Sequence, residues 1–369
     1  MKRLVEGIPT HGLVLLALFF AALAAAPLFV GGYVLSVLII VLYFAYTGQA
    51  WNLMIGFAGL LSLGHALFVG IGAYISAALF IHLGIGPWAG VVAAIAASVA
   101  VGSAIGYLGF RFSISGVYFA LLTIAFAEFT GIVVDHIDWL GGSSGLFLPV
   151  SSRDSVDLLN LRGPPVMFYY IILALTFGAL LTCRLLLNSK LGMYWQAIRE
   201  DQEAAEALGV NLFRAKMIAV MISSGMTGIA GVFYAFYYNN LFPEQTFSTA
   251  RSIELILGTV VGGVGTLFGP ILGAFLLTPL GELLTYLTEG VRLDGIKQFF
   301  WGLVVAAIVL YRPTGVWPWL RGLLGLDGGR RLARQRPAVA NDADGATSVP
   351  PAAADRPAAA AAPPEGAGR

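Results

Sequence analysis

Long apolar segments separated by short polar breaks dominate the pattern of this chain from about residue 13 to residue 311. A helix needs roughly 20 mostly apolar residues to cross a bilayer, and most of these segments approach that length. The pattern therefore predicts an all-α, polytopic integral membrane protein with about ten transmembrane helices. The predicted spans are 13–30, 33–50, 66–82, 88–109, 117–134, 167–187, 215–238, 253–264, 270–287 and 298–311.

The apolar stretch from Ile253 to Leu287 is less regular than the others because glycine and proline interrupt it. It is compatible with two spans, or with one span and a re-entrant half-helix. The glycines at 265, 269 and 273, like those at 102 and 106, share one helix face and favour close helix packing. A break at 262–269 could alternatively expose backbone groups to a transported solute.

Composition and charge agree with a membrane protein and predict its orientation. The chain is 58% hydrophobic and only 11% charged, and its net charge of +1 gives no field that would attract nucleic acid. On the predicted spans, all of the 21 Lys and Arg residues except Arg153, Arg162, Arg251, Arg292 and Lys297 fall on the side of the two termini. The positive-inside rule then places both termini in the cytoplasm, with the protein in the cell inner membrane.

The polar breaks divide the chain into a transmembrane domain over 1–320 and a tail over 321–369. Two loops are long enough to bind other molecules: 136–166 on the predicted periplasmic side and 188–214 on the cytoplasmic side. An inert connector is the alternative for the periplasmic loop. The tail is rich in Ala and Pro with few large apolar residues, so it is predicted to be disordered.

The cytoplasmic loop contains strong helix formers between Trp195 and a terminating Gly209, which predicts one short cytoplasmic helix over 194–209. Its charges and alanines would let it lie against another protein, although a solvated helix without a partner has the same composition. Glu203, Ala204 and Ala205, followed after three residues by Gly209, resemble the EAA motif with which importer permeases engage their ATPase subunits.

Further stretches, in order along the chain, strengthen this resemblance. They are 59–66, 70–74, 116–123, 141–146, 192–210, 262–270 and 312–315. Together they resemble the LivM-type permeases of branched-chain amino acid ABC transporters over nearly the whole membrane portion. The chain departs from that pattern at Leu60 and Met193, which puts cargo preference and docking detail in question, and in its long tail.

The resemblance implies a set of partners and a set of coupling residues. The chain has no Gly-x-x-x-x-Gly-Lys-Ser/Thr loop, so it is predicted to hold no cofactor, with ATP bound by partner subunits. The implied partners are two cytoplasmic ATPase subunits, a second homologous permease, a periplasmic substrate-binding protein and the lipid bilayer. The ATPase-coupling residues are Arg199, Glu200, Glu203, Ala204, Ala205, Leu208 and Gly209.

Polar residues inside or beside the spans are the candidates for the translocation path or a helix interface. Glu128 lies midway along the fifth predicted span, where a carboxylate costs roughly 2.5–3.5 kcal/mol to insert. It is interpreted as a path-facing or interface carboxylate, or as a structurally paired one. Ser62 and His65, near Gln49 and Asn52, are interpreted as packing residues more than as ligands of a solute. Tyr118 and Thr123 of the 116–123 stretch are the remaining candidates.

No catalytic site and no metal site are predicted, because no nucleophile has a base beside it and no ligands have metal-binding spacing. The chain is interpreted as the permease subunit of an ATP-driven importer, not as an enzyme, with Leu, Ile and Val as cargo. An ABC permease for urea or short-chain amides, an ion-coupled secondary transporter and a membrane scaffold without transport activity are the alternatives.

Overall fold

A computed structural model describes residues 10–149, 156–287 and 296–324 of the chain. Nearly all the secondary structure in these ranges is helical, and the strands are the short pair β1 (Leu146–Phe147) and β2 (Asn240–Leu241). The helices, in chain order, are α1 (Thr10–Ala25), α2 (Gly32–Asn52), α3 (His65–Leu83), α4 (Pro87–Arg111), α5 (Val117–Asp135), α6 (Pro165–Leu187), α7 (Lys190–Glu200), α8 (Gln202–Ala207), α9 (Leu212–Tyr238), α10 (Pro243–Phe247), α11 (Thr249–Gly262), α12 (Gly269–Leu287), α13 (Ile296–Tyr311) and α14 (Val316–Leu323).

Six segments in the described ranges are helices long and apolar enough to cross a membrane. They are α2 with the π-helical turn Leu53–Phe57 that follows it, and α3, α4, α5, α6 and α9. Shorter apolar helices occupy Val14–Leu28, Gly269–Leu284 and Phe299–Ile308. The prediction of an all-α polytopic protein is therefore confirmed, and each predicted span lies on a helix, although not every such helix reaches spanning length.

The bundle has two ends that differ in their contacts. At one end, β1 pairs with β2 antiparallel, Trp88 Nε1 donates to Leu158 O, and His82 stacks on Trp139; we call this the sheet end. At the other end lie α7, α8, the π-helical turn and the turn 263–268 between α11 and α12; we call this the α7 end. Successive long helices run alternately between these two ends.

Small residues allow helix backbones to approach closely in the middle of the bundle. A Cβ atom on Gly102 would lie 2.7 Å from Ser224 Oγ, so α4 packs directly on α9. A Cβ on Gly273 would overlap with the Gly258 carbonyl oxygen, and one on Gly262 would overlap with that of Gly269. The interpretation of Gly102, Gly269 and Gly273 as packing residues is confirmed, and their close approach makes α11 and α12 a tight antiparallel hairpin. Gly265 does not share their helix face, because it lies in the turn before α12 with φ +77°.

Helix α11 is too short to cross a bilayer by itself. Its 14 residues extend about 21 Å, against the roughly 30 Å of a hydrocarbon core. Its first turn lies beside Glu128, which is roughly 10 Å before the sheet-end terminus of α5. From the sheet end, the chain therefore passes through β2 and α10 and begins α11 inside the bundle, at the level of Glu128. It reaches the α7 end at Gly262.

The segment predicted as one helix over 194–209 consists of two helices, so that prediction was wrong in detail. Asp201 adopts an extended conformation between α7 and α8, and its carboxylate accepts hydrogen bonds from Glu203 N at 2.9 Å and Ala204 N at 3.1 Å. An aspartate that caps a new helix in this way ends the preceding one.

Residues 321–323, predicted as the start of the tail, belong to α14, which ends at Leu323. The rest of the predicted tail, from residue 325, lies outside the described residues, as does 150–155 of the predicted periplasmic loop.

Candidate functional site

The α7–α8 segment is attached to the bundle by buried side chains on one face. Trp195 is fully buried and its Nε1 donates to Ala215 O in α9 at 2.8 Å. Ile198 and Ala205 are buried beside it. Because Trp195 ties α7 to the first turn of α9, the segment is packed on the bundle and is not a free loop.

The opposite face of α7 and α8 is exposed and carries most of the predicted coupling residues. Glu200, Glu203, Ala204 and Gly209 are exposed, and the Leu208 side chain is 84% exposed. Gly209 has φ +85°, the left-handed conformation expected for a glycine that ends a helix. Ala205, by contrast, faces inward. The structure thus separates the predicted set into an exposed surface and a buried anchor.

Arg199 differs from the other predicted coupling residues because it points into the bundle as well as along the surface. Its Nη1 donates to Gly56 O in the π-helical turn at 2.6 Å, and its Nη2 donates to Glu200 Oε1 at 3.0 Å. The guanidinium also lies against Gly265, where a Cβ atom would be 2.7 Å from Nη1. Arg199 therefore connects α7 with two other parts of the chain.

Two amide side chains at the end of α2 hold the turn between α11 and α12. Asn52 accepts a hydrogen bond from Gly265 N and donates one to Thr266 O, both at 2.8 Å. Gln49 Nε2 donates to Leu267 O at 2.6 Å. The backbone groups of this glycine-rich turn are thus bound by α2, which favours the packing role expected for Gln49 and Asn52.

Ser62 and His65 form a buried hydrogen-bond network with Ser223 of α9. His65 Nδ1 lies 3.2 Å from Ser62 Oγ, and Nε2 lies 3.0 Å from Ser223 Oγ. The Ser223 hydroxyl donates to Ala50 O at 2.7 Å, so the network is satisfied when His65 Nε2–H donates to Ser223 and Nδ1 accepts from Ser62. Sequence analysis did not identify Ser223, which is 158 residues from His65.

The remaining path candidates lie on α5 and face two directions. Thr123 is buried; its Oγ1 accepts from Leu63 N at 3.1 Å and donates to Ala120 O at 2.7 Å. Tyr118 and Glu128 lie on the exposed face of this helix. Glu128 Oε1 accepts from Thr249 N at 3.0 Å and from Thr249 Oγ1 at 2.7 Å, at the first turn of α11. The structure therefore does not bring the five candidates into one site.

Sequence analysis did not single out Arg251 as a site residue, although it is the centre of a polar cluster in α11. Its Nη1 donates to Glu254 Oε2 at 2.8 Å, and its guanidinium carbon lies 5.1 Å from the Tyr234 ring centre. The rings of Tyr43 and Phe44 flank it at 5.8 and 5.5 Å. Aromatic faces and a carboxylate together stabilise a cation inside a bundle. The opposite charges three residues apart were the available sequence signal.

Within the described ranges, no group of three or more His, Cys, Asp or Glu side chains could hold a metal ion. The arrangement offers instead an exposed surface on α7 and α8, a mechanical connection from Arg199 to α2 and α11–α12, and a carboxylate at the start of a half-length helix.

Comparison with known proteins identifies the family. A family profile described as branched-chain amino acid transport system / permease component matches residues 33–311. The high-affinity branched-chain amino acid transport system permease protein LivM of Salmonella typhimurium is 30% identical over 309 residues, covering 78% of this chain and 71% of the relative. LivM of Escherichia coli K12 is 30% identical over 344 residues, covering 88% and 79%.

The similarity extends to the corresponding LivH permease of Escherichia coli K12, which is 22% identical over 291 residues, or 74% of this chain and 90% of the relative. No solved structure matches the chain. The profile covers most of the membrane portion, and the relatives at 30% identity cover more than two thirds of the chain. This chain therefore belongs to the family of permease components of branched-chain amino acid transport systems.

Proposed function

We propose that this chain is the membrane-spanning permease subunit of an ATP-binding cassette importer that moves branched-chain amino acids into the cytoplasm. As a member of its family the chain is a transport permease and not an enzyme. The cargo rests on the relatives, since LivM and LivH are named as high-affinity branched-chain amino acid permeases. The partners are two cytoplasmic ATPase subunits, a second homologous permease and a periplasmic binding protein.

The same proposal includes about ten membrane-embedded helices in the inner membrane, with α11 as a half-length segment. It places the α7 end and both termini in the cytoplasm. The distribution of cations supports this orientation, because Arg111, Lys190, Arg199, Arg214 and Arg312 lie at the α7 end. Arg162, in contrast, is at the sheet end. The sheet end then faces the periplasm and the binding protein.

The observation that carries the ATPase proposal is the two-faced α7–α8 segment. One face is fixed to α9 by Trp195, while the other exposes charged side chains around an apolar one, Leu208, at an aqueous end of the bundle. Met193 and Tyr194 of α7 are further exposed apolar side chains on this segment, and apolar groups surrounded by polar ones are found at protein interfaces. Glu200, Glu203, Ala204, Leu208 and Gly209 would contact the ATPase, and Arg199 and Ala205 would fix the surface to the bundle.

The exposed face of α5 is proposed to meet the second permease and the translocation path. The Glu128 carboxylate is exposed although its Oε1 is bound to Thr249, and an exposed carboxylate at membrane depth favours a polar or protein neighbour over lipid tails. Tyr118 lies on the same exposed side. Ser62, His65 and Thr123 are assigned to the interfaces that hold α3, α5 and α9 in place behind this face.

Replacement of an exposed leucine tests ATPase docking. Leu208→Asp would place a charge at the centre of the proposed interface, and we expect co-purification of the ATPase subunits to fall at least about tenfold. Leu159→Asp is the matched control, because Leu159 is 76% exposed at the sheet end. Docking that survives Leu208→Asp unchanged would contradict the assignment of this surface.

Uptake into proteoliposomes tests the transport cycle and the cargo. The complete set of subunits should accumulate labelled leucine only with internal ATP and external binding protein, and isoleucine and valine should compete. Competition by urea or short-chain amides alone would identify the alternative cargo. Uptake driven by an ion gradient without ATP would identify a secondary transporter, and no uptake by the full set would favour a scaffold.

A further inference from the structure

Arg199 lies where three distant parts of the chain meet. These are α7, the π-helical turn Leu53–Phe57 after α2, and the turn 263–268 between α11 and α12. We call this contact the Arg199 joint. Because α7 carries the exposed surface and α11 is a membrane-embedded segment in the proposed function, the joint connects the proposed docking surface with the membrane hairpin.

The Arg199 guanidinium lies close to both the π-helical turn and the turn 263–268. Arg199 Nη1 is 2.6 Å from Gly56 O, and a Cβ atom on Gly265 would lie 2.7 Å from the same nitrogen. A Cβ on Gly59 would lie 3.3 Å from Arg199 Cα. Glycines at these positions allow α7 to contact both turns directly, and closely packed elements tend to shift together.

The two turns are also fastened to each other, so Arg199 engages a single unit. Asn52 binds the backbone of Gly265 and Thr266, and a Cβ on Gly56 would lie 2.5 Å from Gly265 N. The tight contact of α11 with α12 at Gly262 and Gly273 extends this unit along both helices. A displacement of the guanidinium therefore reaches α11 through consecutive short contacts.

We propose that Arg199 is the positioning residue that transmits movement of the α7–α8 surface to the α11–α12 hairpin. This inference rests on the proposed function and assigns Arg199 a role distinct from ATPase docking. The guanidinium is suited to this role, since its two terminal nitrogens donate to separate acceptors, Gly56 O and Glu200 Oε1, in a fixed planar geometry that a flexible ammonium does not have. Because Trp195 also fixes α7 to α9, loss of Arg199 would leave the docking surface in place while removing its contact with the hairpin turn.

The experiment measures uptake and ATP hydrolysis in the same reconstituted complex. For Arg199→Gln we expect ATPase docking and hydrolysis within about twofold of wild type, and leucine uptake per ATP lower by about tenfold, the effect of one charge-assisted hydrogen bond. For Arg199→Lys, which keeps the positive charge but lacks the two donor nitrogens of the guanidinium, leucine uptake per ATP should lie between the wild-type and Arg199→Gln values. Arg214→Gln is the control, since it removes an exposed arginine from the same end.

A second variant changes the Arg199 joint in the turn 263–268 instead of at Arg199. In Gly265→Ala the new methyl group would displace the guanidinium, and Gly265 also has φ +77°, which disfavours alanine. It should reduce uptake per ATP as Arg199→Gln does, and the double variant should show no further loss. Additive losses, or normal uptake per ATP in Arg199→Gln, would overturn the inference. A wild-type complex without ATP-dependent uptake would instead refute the proposed function.

Thermal unfolding of each complex separates transmission from simple stabilisation. A residue that only stabilises the fold would lower the unfolding temperature and reduce uptake and hydrolysis in parallel, leaving their ratio constant. The inference requires the ratio itself to change while the complexes remain folded at the assay temperature.

Discussion

The two ends of α11 are held by different kinds of interaction. At its C-terminal end, buried amides of α2 and closely packed glycines fix the turn 263–268. At its N-terminal end, the exposed carboxylate of Glu128 binds Thr249, and the Arg251–Glu254 pair lies among aromatic rings. The first end, the glycine end, combines closely packed backbone with hydrogen bonds from α2, whereas the second, the polar end, is held by side-chain contacts alone. The glycine end can therefore move only together with its neighbours, and the polar end is the one whose contacts can be exchanged for others.

The largest effect is expected at the glycine end. Gly273→Ala would place a methyl group on the Gly258 carbonyl, and overpacking of this kind costs about 1–3 kcal/mol or more because backbone cannot move aside. Thermal unfolding of the purified protein in detergent would measure it. Gly178→Ala in α6 is the control, since nothing lies within 4 Å of its added Cβ. Equal unfolding temperatures for the two variants would contradict the hairpin packing.

Asn52→Ala should have the next largest effect. It would leave Gly265 N–H and Thr266 C=O without their hydrogen bonds in a partly buried turn, at a cost of about 0.5–1.5 kcal/mol for each bond. Asn160→Ala, in the sheet-end loop, is the matched control, and thermal unfolding again gives the comparison. A stability unchanged by Asn52→Ala would mean that the turn is held by its own backbone and not by α2.

The smallest effect is expected at the polar end. Glu128→Ala removes a carboxylate that accepts from Thr249 N at the start of α11, a contact typically contributing about 0.5–2 kcal/mol. Glu128→Gln keeps an acceptor and should recover part of the loss. Unfolding temperatures of the two variants, compared with wild type, would separate the hydrogen bond from the charge. A glutamine variant less stable than the alanine variant would contradict this account of Glu128.

The positions of the helices could be predicted from the sequence because membrane helices follow directly from apolar length. The family was also predicted correctly from short motifs. The break at Asp201 was missed although aspartate is a recognised helix N-cap residue and an acidic side chain, Glu203, follows it in the first turn of α8. The run of helix formers on both sides outweighed that one residue in the prediction.

The contacts of the candidate site could not be predicted in the same way. Arg199 and Gly56 are 143 residues apart, and His65 and Ser223 are 158 apart. Such pairs depend on how the helices pack, which apolar periodicity does not specify when several faces are apolar. Glu128 could be identified from the sequence, because the free-energy cost of a carboxylate in a membrane indicates a role for it. Its partner Thr249 is known only from the structure.

The π-helical turn Leu53–Phe57 determines what the deletion of a single residue would do at this point of the chain. A π-turn holds one residue more than an α-helical turn, so deleting a single residue there would restore a regular helix. Because the wider turn absorbs the extra residue, α2 would keep its direction and only the backbone of the turn itself would be reset. Gly56 O would then leave its position beside Arg199 Nη1, so a single-residue deletion in this stretch should break the Arg199 joint while α2 stays intact.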